Sequence, residues 1–448
     1  MSYYTLPRKQ TMSKINPTFS DEALVPIISF SLIHYLNIAQ EFVKKIKHNN
    51  CETESHDQTP LAIASGVQSL PGAFGYGSPH NIDFLYRIIN PFEFIHYKVP
   101  GSKFSVSKIK ANSPTFYILM EIVNIFNIFD SFLGRNIKAI HCGANNASTI
   151  ECMNIFRENN NDVIYEHFLE SEISSFKTIQ GIETMMIDFL YFELNNLDET
   201  ININKYVLNF IIVMCNILTY QNVNGTCIIK IDTLFYKPIL DILYILTGMY
   251  EKIYIIKPNT SNIFKTERFI ICKNFISDYS KTLENNNTLK VLKMIIDDRI
   301  ANGKQISSLI KHDLPYYFLN KVEESNIIIG HLQLEQYDQI INLVKNKNKD
   351  DKIETLKKNN IQKCIQWCDK HKIPYNKFVD KLNIFLPIVI YDDVIINTHE
   401  LVQMDIDDVV DISVDVDADD IHEIFLERAG AIAKVSDSEG ERLESSTK

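Results

Sequence analysis

Short apolar runs with two different spacings alternate along the chain from about residue 137 onward. Some are unbroken runs of about four to eight residues, typical of buried strands, whereas others repeat every three or four residues and indicate one face of a helix. Strands that alternate with helices predict an α/β fold with a doubly wound, mostly parallel sheet. We predict strands at Ile137–Cys142, Val163–His167 and Glu183–Asp188, and helices at Ser148–Glu158 and Lys205–Tyr220.

The stretch Gly225–Phe275 shows this alternation most clearly. It has the pattern of a strand, a helix, a strand, a turn at Pro258–Ser261 and a last strand. Lys230 lies inside the first of these strands, and Glu267 opens the last one. A charged side chain in a buried strand costs free energy unless it is paired or used. The pattern therefore predicts either a structural ion pair between these two residues or a functional site.

The regions on either side of the alternating segment have different patterns. Leu24–Ile46 is predicted to be a helix, and Ser113-Pro114 is typical of the start of another, which we expect to continue to about Phe132. Beyond residue 280, Leu289–Ile300 and Ile327–Lys345 have amphipathic helical spacing. We predict four regions: an N-terminal extension with a helix and a loop-rich segment (1–112), an α/β domain (113–280), a mainly helical region (281–400) and an acidic, partly disordered tail (401–448).

The net charge of the 448-residue chain, −11, is concentrated at its C-terminal end. Residues 401–448 contain fourteen Asp and Glu but four Lys and Arg, so the first 400 residues are close to neutral. An acidic balance of this kind does not argue against a basic groove elsewhere. Lys98–Lys110 and Lys44–Lys47 are candidates for phosphate contact, although a solvated surface is the simpler interpretation of both.

The composition is typical of a folded protein with a large core, because 45% of the residues are hydrophobic and 11% are aromatic. The eight cysteines form no paired framework, so we expect a reducing compartment. Cys364, Cys368 and His371 are spaced for one face of a helix rather than for a zinc site, and no metal is predicted. The longest apolar run, Val207–Leu218, is too short to span a bilayer, so no membrane association is expected.

The Gly225–Phe275 block resembles the C-terminal half of the FtsJ-like RNA 2′-O-methyltransferases, which include the viral and eukaryotic cap methyltransferases. In that family, a strand with a catalytic lysine and a helix precede the pattern K-P-x-x-S-R-x-x-S/T-E-x-Y/F. The matching residues here are Lys257-Pro258-Asn259-Thr260-Ser261-Asn262, followed by Thr266-Glu267-Arg268-Phe269. The resemblance places Lys230 at the family's second catalytic lysine and Glu267 at its glutamate. It implies a Rossmann-like sheet of the S-adenosylmethionine methyltransferase type.

The resemblance also implies a site for S-adenosylmethionine at the C-terminal edge of the sheet. Gly143 follows the first predicted strand, where the backbone must pass close to the cofactor. Asn145 and Asn146 stand where the family usually has a Pro-Gly pair, which is a departure from its pattern. Glu166, in the second strand, is the expected acceptor for the ribose hydroxyls. Asp188 is the expected aspartate of the reaction centre and a further contact of the cofactor.

The family's first catalytic lysine has no counterpart in this alignment. The string Ser113–Ile122 resembles the family's S-R-x-x-Y-K-L-x-E-I helix, and Ile118 occupies the place of the lysine. Lys108 and Lys110 lie just upstream, within possible reach of the site.

A second alignment of the N-terminal half is open. In it, Leu70–Phe74 resembles the cofactor loop of some cap methyltransferases, and Lys45 or Lys47 takes the place of the missing lysine. The regular spacing of strands and helices from Ile137 onward favours the first alignment.

The resemblance implies transfer of a methyl group from S-adenosylmethionine to a ribose 2′-hydroxyl of RNA, with the mRNA cap as the expected target. Lys230 is the expected base, because burial and a neighbouring cation lower the pKa of a lysine. Asp188 and Glu267 are expected to orient its amine. The alternative is a catalytically degenerate subunit with a structural or stimulatory role in a capping or transcription complex, which Ile118 and the missing Pro-Gly pair favour. A Rossmann-like module for another nucleotide leaves the Lys230–Glu267 spacing unexplained.

The expected nucleic-acid partner is RNA, chiefly capped mRNA. Other capping or transcription proteins are expected to bind the C-terminal region. The high content of Asn and Ile is typical of AT-rich genomes such as those of many large DNA viruses and some protists. We therefore expect a viral protein located in the cytoplasm, in a viral factory or in the virion, with a nuclear location left open.

Overall fold

A central β-sheet with helices on both faces makes up the computed structural model, which describes residues 3–9, 14–56, 82–158, 160–167, 186–194, 202–276, 283–302, 304–346 and 349–378. The strands are β1 (Tyr3–Leu6), β2 (Thr18–Ser20), β3 (Lys138–Cys142), β4 (Val163–His167), β5 (Ile187–Glu193), β6 (Gln221–Ile231), β7 (Tyr250–Ile256), β8 (Arg268–Phe275) and β9 (Gln305–Ser308). The helices are α1 (Phe30–His56), α2 (Ile82–Ile89), α3 (Thr115–Phe126), α4 (Asn146–Arg157), α5 (Ile203–Tyr220), α6 (Lys237–Met249), α7 (Leu283–Asn302), α8 (Tyr316–Lys345) and α9 (Lys349–His371).

Seven of these strands form one sheet in the order β1-β7-β8-β6-β5-β3-β4. The neighbours β4, β3, β5 and β6 are parallel, and β8 is antiparallel to both β6 and β7, so five of the seven strands run in one direction. Strand β1 closes the edge antiparallel to β7, and β2 pairs with β9 in a separate small sheet. The resemblance implied a Rossmann-like, mostly parallel sheet with a helical C-terminal extension. The structure confirms this fold class.

Apolar side chains cover both faces of the large sheet. Successive residues of a strand point to opposite faces. Ile140 belongs to the apolar cluster to which α5, α6 and α7 contribute, whereas Ala139 belongs to the cluster to which α3, α4 and α9 contribute. Helix α8 contributes to both clusters, with Phe318 on the first face and Tyr337 on the second. The C-terminal helices are therefore part of the same packed body as the sheet.

Helix α5 is long and apolar enough to cross a membrane, judged by its length and composition alone. It is also 72% buried, and Phe210, Val213 and Ile217 pack in the cluster on the first face of the sheet. A helix that is apolar on nearly all sides is typical of the core of a large domain as well as of a membrane span.

One predicted strand end is wrong, at β5. The strand was expected to end at Asp188, but it begins at Ile187 and continues to Glu193. All seven of its residues are buried, so the run has no alternation that marks where the strand starts or stops. Asp188 therefore lies at the opposite end of the strand from the one predicted.

Other boundaries differ by smaller amounts. Helix α1 begins at Phe30 rather than Leu24, and α3 ends at Phe126 because Asn127 adopts a left-handed conformation with φ of 47°. Residues 3–6, assigned to the N-terminal extension, add an edge strand to the sheet. The four domain boundaries remain a prediction. The segment 70–74 and the acidic tail lie outside the described residues.

Candidate active site

Lys230 lies near the C-terminal end of β6, in the middle of the sheet. The register places it opposite Glu193 of β5 on one side and Phe269 of β8 on the other. Glu267 precedes β8 directly, and its Oε2 atom lies 3.4 Å from the Lys230 Nζ atom. The two side chains are 12% and 7% exposed. The ion pair that the sequence indicated is present and nearly buried.

Glu193 is a third charged residue at this edge, and sequence reasoning missed it. It is the last residue of β5, and its carboxylate accepts a hydrogen bond of 2.9 Å from the Tyr191 hydroxyl and another of 2.9 Å from the Asn145 Nδ2 atom. In a parallel sheet, the carboxyl ends of neighbouring strands meet at one edge, so Glu193 lies beside Lys230. The signal that marks it is the apolar run from Phe189 to Phe192, which ends at this glutamate.

Asp188, the predicted reaction-centre aspartate, lies elsewhere. Its carboxylate accepts hydrogen bonds from Arg135 (3.2 Å), from the backbone N–H of Lys138 (3.1 Å) and from Asn222 (3.0 Å). Glu193 is five residue steps further along the extended strand, roughly 17 Å away. Asp188 therefore braces the N-terminal edge of the sheet and does not orient Lys230 or contact a cofactor at the other edge.

The turn between β3 and α4 carries the other predicted cofactor residues. The Gly143 N–H donates to the His167 carbonyl (3.2 Å), and Asn146 Nδ2 donates to the same oxygen (2.8 Å). A Cβ atom on Gly143 would lie 2.7 Å from the Glu193 Cβ atom, so this position requires glycine. Gly143 and Asn145 thus lie against Glu193, and Asn146 ties the same turn to His167 at the edge of the sheet.

Glu166 is at the same edge but is exposed. It is the fourth residue of β4 and pairs in register with His141 of β3, two residues before Gly143. Strand β4 is one of the two edge strands of the sheet, and the Glu166 side chain is open to solvent. The structure places Glu166 on the strand next to the Gly143 turn and brings it into no contact with Lys230.

Comparison with known proteins finds sequence similarity to methyltransferases. No family model matches the chain. A cap-specific mRNA (nucleoside-2′-O-)-methyltransferase 1 of Drosophila melanogaster is 24% identical over 243 residues, which cover 51% of this chain and 29% of that protein. An inactive cap-specific mRNA (nucleoside-2′-O-)-methyltransferase 1B of Caenorhabditis briggsae is 24% identical over 191 residues, 41% of this chain and 22% of that protein.

The chain is similar in sequence to cap-specific mRNA 2′-O-methyltransferases. The resemblance to the FtsJ-like family is thereby confirmed, although the chain spans less than a third of the length of these relatives. A solved Plasmodium falciparum protein named as a ribosomal RNA methyltransferase matches 37% of this chain and 98% of that chain, with 19% identity and a TM-score of 0.28. The relatives are eukaryotic, so they give no support to a viral source.

The position of the FtsJ-like family's first lysine is apolar here. Ile118 is 6% exposed on α3 and packs in the cluster on the second face of the sheet. One turn further along, the Glu121 carboxylate accepts hydrogen bonds from the N–H (3.0 Å) and hydroxyl (2.9 Å) of Thr260. Helix α3 therefore holds the loop that leads to Glu267 but brings no cation to it. Lys108 and Lys110 are exposed in the segment before α3.

The second alignment is less well supported by the described residues. Lys47 lies on α1, where its Nζ atom is 2.7 Å from the Asp83 carboxylate at an exposed position, and Lys45 is exposed on the same helix. Neither of them contacts the Lys230 cluster, which consists of Lys230, Glu193 and Glu267.

Lys257 was identified only as part of the family pattern, and the structure gives it a specific place. Its ammonium donates hydrogen bonds to the backbone carbonyls of Asn262 (3.0 Å), Lys265 (2.8 Å) and Glu267 (3.0 Å). These bonds close the loop between β7 and β8 and so fix the residue that pairs with Lys230. Burial lowers the pKa of Lys257 to about 8.

Carboxylates dominate the electrostatics around Lys230. Burial alone would lower the pKa of Lys230, but the nearby carboxylates of Glu267, Glu193 and Asp232 outweigh burial and raise this pKa above its ordinary value. Burial opposes the charged form of Glu267 as well, yet Lys230 and other lysines hold its pKa below the ordinary value. Near neutral pH, Lys230 is therefore an ammonium ion within an excess of negative charge.

Metal ligands are not gathered in the part of the chain that the structure describes. No group of three or more His, Cys, Asp or Glu there lies close enough together to hold an ion. Cys364 and Cys368 are buried on α9, and the Nδ1 atom of His371 lies 3.1 Å from the Asn124 side-chain amide. Two shallow surface hollows of about 280 and 350 Å³ lie beside the start of α1 and α8, and neither includes a residue of the Lys230 cluster.

Proposed function

We propose that the protein is an RNA ribose 2′-O-methyltransferase that uses S-adenosylmethionine and acts on the mRNA cap. The observation that carries the proposal is the nearly buried Lys230–Glu267 pair, with Glu193 on the neighbouring strand, at the C-terminal edge of a mostly parallel sheet. The names of the related proteins support the 2′-hydroxyl as the acceptor and the cap as the target. The single lysine with two flanking carboxylates gives the chemistry a defined centre.

The reaction needs a base and a fixed geometry. Lys230, in its deprotonated form, would accept the proton of the ribose 2′-hydroxyl as the hydroxyl oxygen takes the methyl group that a bound cofactor would supply, with the sulfide as the leaving group. Glu193 and Glu267 orient the lysine amine, which places its lone pair toward the hydroxyl. Glu193 takes the role that the sequence assigned to Asp188.

S-adenosylmethionine supplies a methyl group activated by a positively charged sulfur. The residues at the Gly143 turn fit such a group, because the buried Asn146 Oδ1 atom has no hydrogen-bond partner and can accept one from the cofactor. We propose that Gly143, Asn145 and Asn146 hold the cofactor and that Glu166 accepts hydrogen bonds from its ribose hydroxyls. The carboxylates around Lys230 would favour a cationic group nearby.

Calorimetric titration with S-adenosylmethionine tests the cofactor proposal. We expect binding that Glu166→Ala weakens about tenfold, because one charge-assisted hydrogen bond is lost. Glu251→Ala is the matched control, since Glu251 is an exposed glutamate at the start of β7, at the opposite edge of the sheet. If neither S-adenosylmethionine nor its demethylated product binds, the enzyme proposal fails and the degenerate-subunit alternative takes its place. One relative is itself named inactive.

The pH dependence of methyl transfer should reflect the raised pKa of Lys230. A base must be deprotonated, so we expect the rate to rise with pH through the alkaline range and beyond the ordinary pKa of lysine. Ile118→Lys would place a second cation where the FtsJ-like family has one, which should lower the pKa of Lys230 and move the alkaline limb toward neutral pH.

Ile118→Met is the control for this experiment, because it keeps an apolar side chain of similar volume. Its pH profile should match that of the unaltered protein. An alkaline limb that stays in place in Ile118→Lys, in a protein with normal thermal unfolding, would mean that Lys230 is not the titrating base.

The location of the protein stays a proposal drawn from composition. We propose that it acts in a reducing compartment, the cytoplasm or the nucleus, because its seven described cysteines are all free.

A further inference from the structure

A group of exposed lysines lies on the segment 98–110, which leads into α3. Lys98, Lys103, Lys108 and Lys110 are all exposed, and the segment contains no acidic residue. In the part of the chain that the structure describes, none of the four forms an ion pair with a carboxylate. The segment therefore carries a local charge of +4, in the part of the chain, residues 1–400, that is close to neutral overall.

A tight turn presents part of this segment to solvent. The Val99 N–H donates to the Phe104 carbonyl (3.0 Å), and the Ser102 N–H donates to the Val99 carbonyl (2.9 Å). Gly101 allows the turn through its φ of 84°, a left-handed conformation that other residues rarely adopt. The turn carries Lys103 and Phe104, whose ring is 58% exposed. A large aromatic side chain is thus held outward on a closed turn.

A distant part of the chain adds to the same surface. The Lys108 N–H donates to the Pro374 carbonyl (2.9 Å), and the Asn376 N–H donates to the Val106 carbonyl (2.8 Å). Ser107 and Tyr375 form an isolated antiparallel bridge between these hydrogen bonds. The pairing brings Lys372 and Lys377, both exposed, to the lysines of the 98–110 segment.

The surface adjoins the cofactor edge of the sheet. Lys110 is three residues from Ser113, whose hydroxyl donates a 2.8 Å hydrogen bond to the hydroxyl of Ser148 in the first turn of α4. Three residues span at most about 11 Å. Helix α4 begins directly after the Gly143 turn, so a polymer bound along the lysines can continue toward the Gly143 turn and Lys230.

We propose that the basic surface formed by Lys98, Lys103, Lys108, Lys110, Lys372 and Lys377 binds a single-stranded stretch of the substrate RNA, with a base stacked on Phe104. The inference rests on the proposed function and adds the strand that follows the methylated nucleotide. Lysines that neutralise phosphates, together with an exposed ring for stacking, are the usual components of single-strand recognition. The RNA backbone then contributes affinity that does not depend on base sequence.

Fluorescence anisotropy with a labelled single-stranded RNA, measured over a range of salt concentrations without cofactor, tests the surface. Lys98→Gln with Lys103→Gln should reduce the slope of log K against log salt by about 1.4, because each lost phosphate contact on a single strand contributes about 0.7. Lys290→Gln with Lys311→Gln is the matched control, since both lysines are exposed and lie outside the surface. Its slope should be unchanged.

Phe104→Ala should weaken RNA binding about tenfold while leaving the salt slope unchanged, because stacking on the ring is lost without a change of charge. Its side chain is mostly exposed, so the thermal unfolding temperature should be preserved. The surface proposal is overturned if the lysine pair and its control behave alike. The proposal is also overturned if the lysine pair weakens binding to phosphatidylserine vesicles as much as it weakens binding to RNA. That result would favour a membrane-binding surface.

Methylation of substrates of two lengths separates this proposal from the proposed function. The lysine pair should raise KM for a long capped RNA and leave the rate with a capped dinucleotide unchanged. If the unaltered protein methylates neither substrate but the lysine pair still weakens its RNA binding, the result supports the surface and contradicts the enzyme proposal. Methylation of both substrates with unchanged KM contradicts the surface alone.

Discussion

Lys230→Ala is expected to lower methyl transfer to capped RNA by about 10²–10⁴-fold, the usual contribution of a positioned general base. Lys230 is the one cation that pairs with Glu267 within 4 Å in the described residues, and it lies opposite Glu193 in the strand register. Removing its amine leaves the ribose hydroxyl with no group to accept its proton. Single-turnover methyl transfer, measured with cofactor in excess, isolates this step from binding and product release.

Lys230→Ala also leaves the nearly buried Glu267 carboxylate unpaired, which costs stability. Lys230→Arg is the control variant, because a guanidinium keeps the positive charge beside Glu267 but does not lose its proton in proteins. We expect a folded protein that is as inactive as Lys230→Ala. Transfer retained by either variant would show that another group is the base.

Glu193→Gln should lower the rate of methyl transfer about 100-fold, because a misplaced lysine amine costs about this much in a reaction that depends on orientation. The amide keeps the size of the side chain but removes the negative charge that faces Lys230. Its loss should also lower the pKa of Lys230, since Glu193 is one of the groups that raise it. The alkaline limb of the pH profile should therefore move to lower pH as the maximum rate falls.

Asp188→Asn is the matched comparison on the same strand. Asp188 accepts three hydrogen bonds at the N-terminal edge of the sheet, so we expect the free energy of unfolding to fall by about 1–3 kcal/mol. The rate of transfer at a temperature where both proteins are folded should not change. A large rate loss in Asp188→Asn with none in Glu193→Gln would reverse the assignment of the two acids.

The alternating strands and helices, and the opposition of Lys230 and Glu267, could be predicted from the sequence. Period and run length indicate local structure, and a charge within an apolar run must find a partner, so both were available without coordinates. The fold class and the family resemblance followed from the Gly225–Phe275 block. That block is local, because about fifty consecutive residues contain two adjoining sheet pairings.

The role of Glu193 and the basic surface could be recognised only from the tertiary structure. A strand buried on both faces has no alternation, so only its pairing with β6 shows that Glu193, rather than Asp188, reaches the edge beside Lys230. The contact between the segments 105–108 and 374–376 joins residues about 270 positions apart, through hydrogen bonds that no local pattern reveals. The sequence by itself determined the fold class and the charged pair, because these follow from local burial and spacing. The structure alone decided which acid faces Lys230 and which lysines share a surface, because these depend on strand register and on contacts between distant segments.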